Sequence, residues 1–276
     1  MNKAKKIISS KPFIMFVWVL ILVAIWEMGA AHMEKTKRTP ENVLPHVSQI
    51  IDSVFDDKMV SNSQTASQIV WNSAKATLER AFIGFVFGTL FGFLMALLMK
   101  LSGLVEKTIF PYLMLIQMIP IIGMAPIILA ITHDIGMSRI VIAAILTFYP
   151  VATNTLAGLN SVSKEKYDLM YSYAASKWTI YRKVLIPSCI PYFFTGLKIS
   201  APMAITASIL VDTLQGDGGL GCMLSQSLKH AMSIYVFWQI VFFSAFIGII
   251  SSVLMGVLEK LVSPNMRADR KRRKKA

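Results

Sequence analysis

Residues 216–221, Gly-Asp-Gly-Gly-Leu-Gly, have the spacing G-x-G-x-x-G of the dinucleotide-binding fingerprint. That fingerprint works after a β-strand, where its glycines let the backbone approach a pyrophosphate at the start of a helix. Here the motif follows a long apolar segment, so we interpret it as a tight turn or a re-entrant loop. The chain also lacks the pattern G-x-x-x-x-G-K-[ST], which excludes ATP binding by that device.

Side chains that bind metals or act as nucleophiles are few and scattered. The histidines show no i, i+3 or i+4 pair, and the cysteines show no CxxC or zinc spacing. The sequence therefore predicts no metal site, no cofactor on this chain and no catalytic residue. The side chains concerned are His32, His46, His133, His230, Cys189 and Cys222.

Apolar segments of membrane-spanning length dominate the chain. Of its 276 residues, 55% are hydrophobic and 16% are charged, whereas a soluble domain has about 25% charged residues. Each apolar segment of this length is read as a transmembrane helix. The sequence predicts an all-α membrane protein with six spans, over 12–31, 81–99, 109–131, 138–157, 189–211 and 235–258.

The net charge of +13 lies mostly outside the apolar segments and is concentrated at both ends of the chain. With cytoplasmic N- and C-termini, most of the 28 Lys and Arg residues fall in 1–11, 100–108, 158–188 and 259–276, as the positive-inside rule requires. Arg139 is among those placed outside. This distribution predicts a multi-pass plasma-membrane protein in contact with anionic lipid, not nucleic acid. The alternative for the first span is a signal peptide cleaved near 29–31.

The predicted spans contain almost no ionisable side chain, which bears on the source of energy. An ion-coupled carrier needs a site for its ion within the membrane. Residues 81–99, 109–131, 140–157 and 235–258 contain no Asp, Glu, Lys or Arg. The fifth span contains only Lys198, which either extends to the inner surface or lies beside the path and favours an anionic solute. Asp212, at the outer end of the fifth span, is expected to meet a binding protein or a partner helix. An ion-coupled secondary transporter is the alternative function; a membrane-embedded enzyme would need a cluster of His, Asp or Glu.

Three prolines interrupt the predicted third span, and a glycine recurs every four residues in the second. Proline breaks or kinks a membrane helix, and the freed backbone groups need partners within protein or beside a water-filled cavity. We predict that 117–126 lines a translocation path, with a purely structural kink as the alternative. Gly84, Gly88 and Gly92 form a stripe that permits close helix packing, unless they are merely tolerated. The candidate path residues are Gln117, Pro120, Gly123, Pro126 and Lys198.

The segment 158–187, between the fourth and fifth spans, contains apolar side chains although it should lie in water. Ser163 can cap a short helix whose first turn contains Glu165. A second helix, over 178–185, should end at Pro187 before the chain re-enters the membrane. Exposed apolar surface of this kind indicates a protein partner. The side chains concerned are Leu169, Met170, Tyr171 and Tyr173.

In this segment the chain resembles the permeases of bacterial ATP-binding cassette (ABC) importers, whose cytoplasmic signature is E-A-A, three residues, G, nine residues, then I-x-L-P. Aligning the final proline with Pro187 places Val184 and Ile186 at the aliphatic positions, Ala174 at the glycine and 168–170 at E-A-A. Asp168 keeps the acidic charge, whereas Leu169-Met170 replaces two alanines. If the glycine position needs a positive φ, Ala174 costs about 1 kcal/mol there; a simple helix crossing would accept it.

Other short segments are similar to the nitrate, sulfonate and taurine branch of these permeases, among them Leu44-Pro45, 117–126, 175–178 and 219–221. The resemblance implies a five-helix permease core plus one N-terminal helix. It divides the chain into an N-terminal segment (1–42), a permease domain (43–262) with its coupling loop (158–187), and a basic tail (263–276).

The resemblance further implies the translocation subunit of an ATP-driven importer for a small polar solute. The solutes of the branch and of related systems are nitrate, sulfonates, taurine, bicarbonate, thiamine pyrimidine precursors and riboflavin. The implied partners are a second permease copy, with a homodimer favoured, a cytoplasmic ABC ATPase dimer that holds ATP–Mg, and an external solute-binding protein. The ATPase-coupling residues would be Asp168, Leu169, Met170, Tyr171, Ala174, Ala175 and Pro187.

Overall fold

The computed structural model describes residues 11–38, 43–61, 64–215, 218–229 and 234–263. Within these ranges the chain is built from α-helices joined by short connections, with one small antiparallel hairpin, β1 (Met59–Ser61) and β2 (Gln64–Thr65). The helices are α1 (Lys11–Thr36), α2 (Val47–Phe55), α3 (Ala66–Leu101), α4 (Gly103–Met118), α5 (Ala125–Thr132), α6 (Ile135–Asn160), α7 (Lys164–Ser172), α8 (Lys177–Ile180), α9 (Ile186–Gln215), α10 (Leu220–Lys229) and α11 (Ile234–Val262).

Five helical segments of the described chain are long and apolar enough to cross a membrane. They are Phe13–Thr36, Ala66–Leu101, Ile135–Asn160, Lys177–Leu214 and Ile234–Val262. These segments match the predicted spans one, two, four, five and six, although each helix extends beyond the apolar run. The all-α membrane fold is therefore confirmed, while the count of six spans depends on the third.

The predicted third span is not one helix. Helix α4 ends at Met118, Ile119 is extended (φ −72°, ψ 131°) and a 3₁₀ turn, Ile121–Met124, leads into α5. Pro120 explains the break, because its ring disfavours helical geometry at the preceding residue. Pro126 lies in the first turn of α5, where a missing N–H is tolerated. The expected interruption is confirmed, and this region consists of two shorter helices.

The chain divides into two units, one formed by Met1–Trp71 with Met223–Val241 and the other by Asn72–Cys222 with Phe242–Ala276. In the second unit, the glycine stripe of α3 lies directly against α6. A Cβ atom added at Gly84, Gly88 or Gly92 would collide with the α6 backbone or its side chains. The stripe therefore serves close helix packing, as its spacing predicted.

Helices α6 and α9 also pack closely in the second unit. Gly158 of α6 lies against Cys189 and Tyr192, and Gly196 of α9 lies against the carbonyl oxygen of Pro150. Small residues on both helices thus let two long backbones approach.

Candidate functional site

Helix α7 lies on the end of the second unit and has two different faces. Tyr167 and Met170 pack against a buried cluster that includes Met99, Leu156 and Leu185. Met170 follows Tyr167 by three positions, so the two side chains share one face of the helix. The expectation that Met170 is exposed is therefore wrong, because its spacing from Tyr167 turns it towards the core.

Four other apolar side chains of this region are exposed. Leu169 is 56% exposed, Tyr171 63%, Tyr173 76% and Trp178 72%. We call these four residues the exposed apolar surface. Exposed apolar side chains at the end of a membrane protein are typical of a protein-binding site.

A chain of polar contacts connects α3, α4 and α6 beneath α7. The Lys100 amine donates a hydrogen bond to Asn160 Oδ1 (2.7 Å), and the Asn160 amide donates to Glu106 Oε1 (3.0 Å). The Lys100 amine also lies 5.9 Å from the centre of the Tyr167 ring, within cation–π range. Tyr167 is thereby in contact with Lys100 at the end of α3. Sequence spacing could not reveal these contacts.

Helix α7 begins directly after Ser163, as predicted, but the predicted side-chain cap does not form. Ser163 is the N-cap residue with extended backbone geometry (φ −69°, ψ 154°), although its side chain makes no bond to the helix backbone. A hydrogen bond from Ser163 to the Glu165 carboxylate lowers the pKa of Glu165. The negative charge in the first turn is thus stabilised at neutral pH, where it favours the helix.

The turn after α7 has a left-handed residue at the position of the family glycine. Ala174 has φ +48°. Its N–H donates to the Tyr171 carbonyl oxygen (2.8 Å), and the Ala175 N–H donates to the Met170 carbonyl oxygen (3.0 Å). This pair of bonds is the Schellman motif, which closes the C-terminus of a helix and usually has glycine at the left-handed position. Of the two alternatives drawn from the sequence, the strained turn is therefore correct.

Replacing Ala174 with glycine should stabilise the protein, because glycine adopts this backbone geometry without steric conflict. We expect a gain of about 1 kcal/mol, partly offset by the greater entropy of the unfolded chain. The measurement is thermal unfolding in detergent. A thiol dye reports unfolding when it reacts with Cys189 and Cys222, which are buried in the native protein. Ala175→Gly, which removes a methyl group that packs on the core, is the matched control and should lower the melting temperature. Equal melting temperatures for Ala174→Gly and wild type would contradict the assignment of strain.

Pro187 does not end the second helix of the segment. The chain is helical without interruption from Lys177 to Leu214, because Tyr181–Leu185 adopts π-helical geometry with a bond from the Ile186 N–H to the Tyr181 carbonyl oxygen. The wider π turn relieves the clash that a proline ring makes with the carbonyl four residues earlier. The predicted helix end at Pro187 is therefore wrong, and α8 is rigidly connected to the membrane helix α9.

A cleft of about 540 Å³ lies between α4, α6 and α9 in the second unit. Its polar lining residues are Gln117, Tyr149, Thr153 and Asn154, all uncharged, and they are interspersed with apolar side chains such as Met203. Of the predicted path residues, only Gln117 lines this cleft. Pro120, Gly123 and Pro126 are exposed elsewhere on the same broken segment.

Lys198 is paired with Glu259 of α11, their charged atoms 2.5 Å apart, and only 6% of the Glu259 side chain is exposed. This contact agrees with extension of Lys198 towards the inner surface, because Glu259 lies in the segment that the sequence analysis placed on the cytoplasmic side and 33% of the Lys198 side chain is exposed. The role of Lys198 beside the path stays a prediction, and the amine is paired with a carboxylate in this structure.

A second ion pair is fully buried. Arg139 Nε lies 2.8 Å from Asp212 Oδ1, and neither side chain is exposed. The Thr77 hydroxyl donates to Asp212 Oδ2 (2.7 Å) and accepts a bond from the Leu220 N–H (2.9 Å). Arg139 was expected in an outer loop and Asp212 at a partner surface. The expectation for Arg139 is wrong, because α6 begins at Ile135 and carries Arg139 into the core. Asp212 is too deeply buried to meet a binding protein, and it contacts a neighbouring helix of the same chain.

The described part of the glycine motif packs against this ion pair. Gly219 has φ +94°, and a Cβ atom there would collide with the Asp212 carboxylate. Gly221 lies against the Ile209 carbonyl oxygen. The described part of the motif, 218–221, is therefore a tight turn that leads into α10, as the sequence predicted.

Comparison with known proteins identifies the family. Residues 88–267 match the model of the binding-protein-dependent transport system inner membrane component. The match covers more than half of the chain, so the chain belongs to this family. It is an inner-membrane transport permease of the ABC importer type, as the coupling-loop spacing predicted.

Two relatives illustrate the range of the family. The formylaminopyrimidine transport permease protein of Halalkalibacterium halodurans is 28% identical, over 90% of this chain and 94% of its own length. The nitrate import permease protein of Synechococcus elongatus is 26% identical, over 92% of this chain and 91% of its own length. Among solved structures, an inward-facing methionine ABC transporter has a TM-score of 0.61 at 17% identity, over 70% of this chain and 96% of its own. This last similarity shows the fold alone.

Proposed function

We propose that the chain forms the translocation path of an ABC importer together with a second copy of itself. A cytoplasmic ABC ATPase dimer binds ATP–Mg and docks on the exposed apolar surface, and an external binding protein delivers the solute. The observation that supports this most strongly is the position of α7, whose inner face packs on the membrane-helix core while Leu169 remains exposed. Closure of the ATPase would then be passed through Tyr167 and Met170 to the helices that enclose the path.

The chemistry of the cleft supports an uncharged solute that forms hydrogen bonds. Its described polar lining offers amide and hydroxyl groups, and the nearby cation Lys198 is neutralised by Glu259. An anion such as nitrate would lack a fixed positive partner there. Among the relatives, the permease named for formylaminopyrimidine has a solute of the favoured kind. We therefore propose a small polar heterocycle, and a panel of such compounds and anions can be tested by thermal shift of the cognate binding protein.

The cleft hypothesis predicts that Gln117→Leu lowers transport about tenfold while the protein remains inserted in the membrane. The expected loss corresponds to one hydrogen bond to the solute, about 1.4 kcal/mol. The measurement is ATP-driven uptake into proteoliposomes. Gln64→Leu, in the short hairpin outside the cleft, is the control and should transport normally. Equal uptake by the two variants would show that Gln117 does not line the translocation path.

The proposed orientation places both termini in the cytoplasm and predicts the accessibility of two exposed positions. A cysteine that replaces Leu104, at the start of α4, should react with a membrane-impermeant thiol reagent only after the cells are permeabilised. A cysteine at Lys58, beside the hairpin, should react in intact cells. The native cysteines are first replaced by alanine. Labelling of position 104 from outside would reverse the topology, because charge placement predicts it on the cytoplasmic side.

A further inference from the structure

Helix α2, in the proposed outer segment, has three distinct faces. At about 100° per residue, Ile50 and Ser53 form one face, which is buried. The next face around the axis is apolar and exposed, with Ile51 53% and Phe55 81% exposed. Asp52 lies on the third face, which is polar and also exposed. A helix that has protein on one side and separate apolar and polar exposed faces fits a membrane–water interface.

The contacts of α2 with α1 indicate how deep α2 lies in the membrane. The Trp26 indole N–H donates to the Pro45 carbonyl oxygen (3.0 Å), two residues before α2 begins. Trp26 lies about 22 Å along α1 from Lys11, which leaves about 8 Å of a hydrocarbon core about 30 Å thick beyond it and places it near the far boundary of the core. The Trp26 ring also contacts the edge of the Trp238 ring, with centroids 4.7 Å apart. Paired tryptophans at this height are typical of the aromatic belt that marks a membrane edge.

The contact with α11 agrees with this depth. Gln239 lies in the second turn of α11, far along that helix from Lys260. Its amide donates to the Ser53 hydroxyl (3.0 Å), and both groups are buried. Helix α2 is thus fixed at the edge of the bilayer opposite Lys11, which is the outer edge in the proposed topology.

We propose that α2 lies in the outer membrane–water interface, with Ile51, Val54 and Phe55 inserted among the lipid acyl chains and Asp52 facing water. The occupant of the apolar face is lipid. An external protein that approaches from water would meet the polar face first, since the apolar face lies on the membrane side of a helix at this depth. The helix therefore anchors the outer segment to the lipid surface.

The test uses a fluorescent bimane group attached to a single cysteine, with Cys189 and Cys222 replaced by alanine. Ile51→Cys is the probe, and Asp52→Cys is the matched control because it is exposed on the adjacent polar face. The full-length protein is reconstituted into vesicles of phosphatidylcholine with or without bromine on the acyl chains. We expect bromine to lower the emission of the probe at position 51 by about twofold, because the apolar face of an interfacial helix lies in the acyl boundary.

Bromine should change the emission of the probe at position 52 little. The emission maximum at position 52 should lie at a longer wavelength than at position 51, as is typical of a probe in water. Two results would overturn the proposal. Equal, small effects of bromine at positions 51 and 52 with wet spectra would place α2 in water. A dry spectrum at position 51 that bromine does not quench would mean that protein, either a partner or a second copy, covers the face. Neither result depends on the ATPase or on the identity of the solute.

Discussion

Leu169→Asp should abolish binding of the ATPase while leaving the permease folded and inserted. Leu169 is exposed in the isolated chain, so the substitution places no charge in the permease core. In the docked complex the same carboxylate would be buried without a partner, at a cost of several kcal/mol. An energy of about 3 kcal/mol corresponds to at least a hundredfold loss of affinity. The measurement is co-purification of the ATPase with the permease, followed by solute-stimulated hydrolysis in liposomes.

Ser161→Asp is the matched control for charge, because Ser161 is exposed just before α7 and should tolerate the substitution. Met170→Asp gives a second comparison. It would place a charge against the permease's own core, so its loss of ATPase binding should be accompanied by a lower melting temperature. Normal ATPase binding by Leu169→Asp would show that the exposed apolar surface is not the docking site.

Asp212→Leu should destabilise the permease more than any other single change considered. The substitution leaves Arg139 fully buried without its carboxylate partner, and breaking a buried ion pair in this way costs about 3–5 kcal/mol. It also removes the nearer acceptor of the Thr77 hydroxyl, which is left with the Ser73 carbonyl oxygen at 3.3 Å. The melting temperature can be followed through the reactivity of Cys189, which is buried in the native protein.

The double variant Arg139→Met/Asp212→Leu should recover most of the lost stability, because two apolar side chains can replace a buried pair without leaving an unpaired charge. Glu79→Leu, at an exposed acid of α3, should have little effect. If the double variant melts as low as Asp212→Leu, the two side chains do not act as a pair and the interpretation of this network is wrong.

The sequence predicted the features that depend on composition and local geometry. Apolar runs located the membrane helices, Pro120 located the break in the third span, and the glycines from 84 to 92 located a helix contact. Each of these sequence features determines the structure of a segment only a few residues long, so it can be interpreted without knowledge of distant contacts. The position of Pro187 relative to Ala174 was similarly sufficient to identify the family.

Features that depend on tertiary contacts were not predictable. Lys198 and Glu259 pair across 61 residues of sequence, and Asp212 meets Arg139 from a different helix. An acid or base placed near a helix end by counting apolar residues can therefore be buried against a distant partner. The inward orientation of Met170 has the same origin, because only the folded core distinguishes its side of α7 from that of Leu169.

The central claim is that ATP hydrolysis on a partner chain drives transport through this permease. It is tested most directly in liposomes that contain the permease and its ATPase, with ATP inside, the binding protein outside and a labelled solute chosen by the thermal-shift panel. We predict accumulation of the solute only when ATP and all three proteins are present. Accumulation by the permease alone, driven by a proton or sodium gradient without ATP, would contradict the claim and identify an ion-coupled carrier.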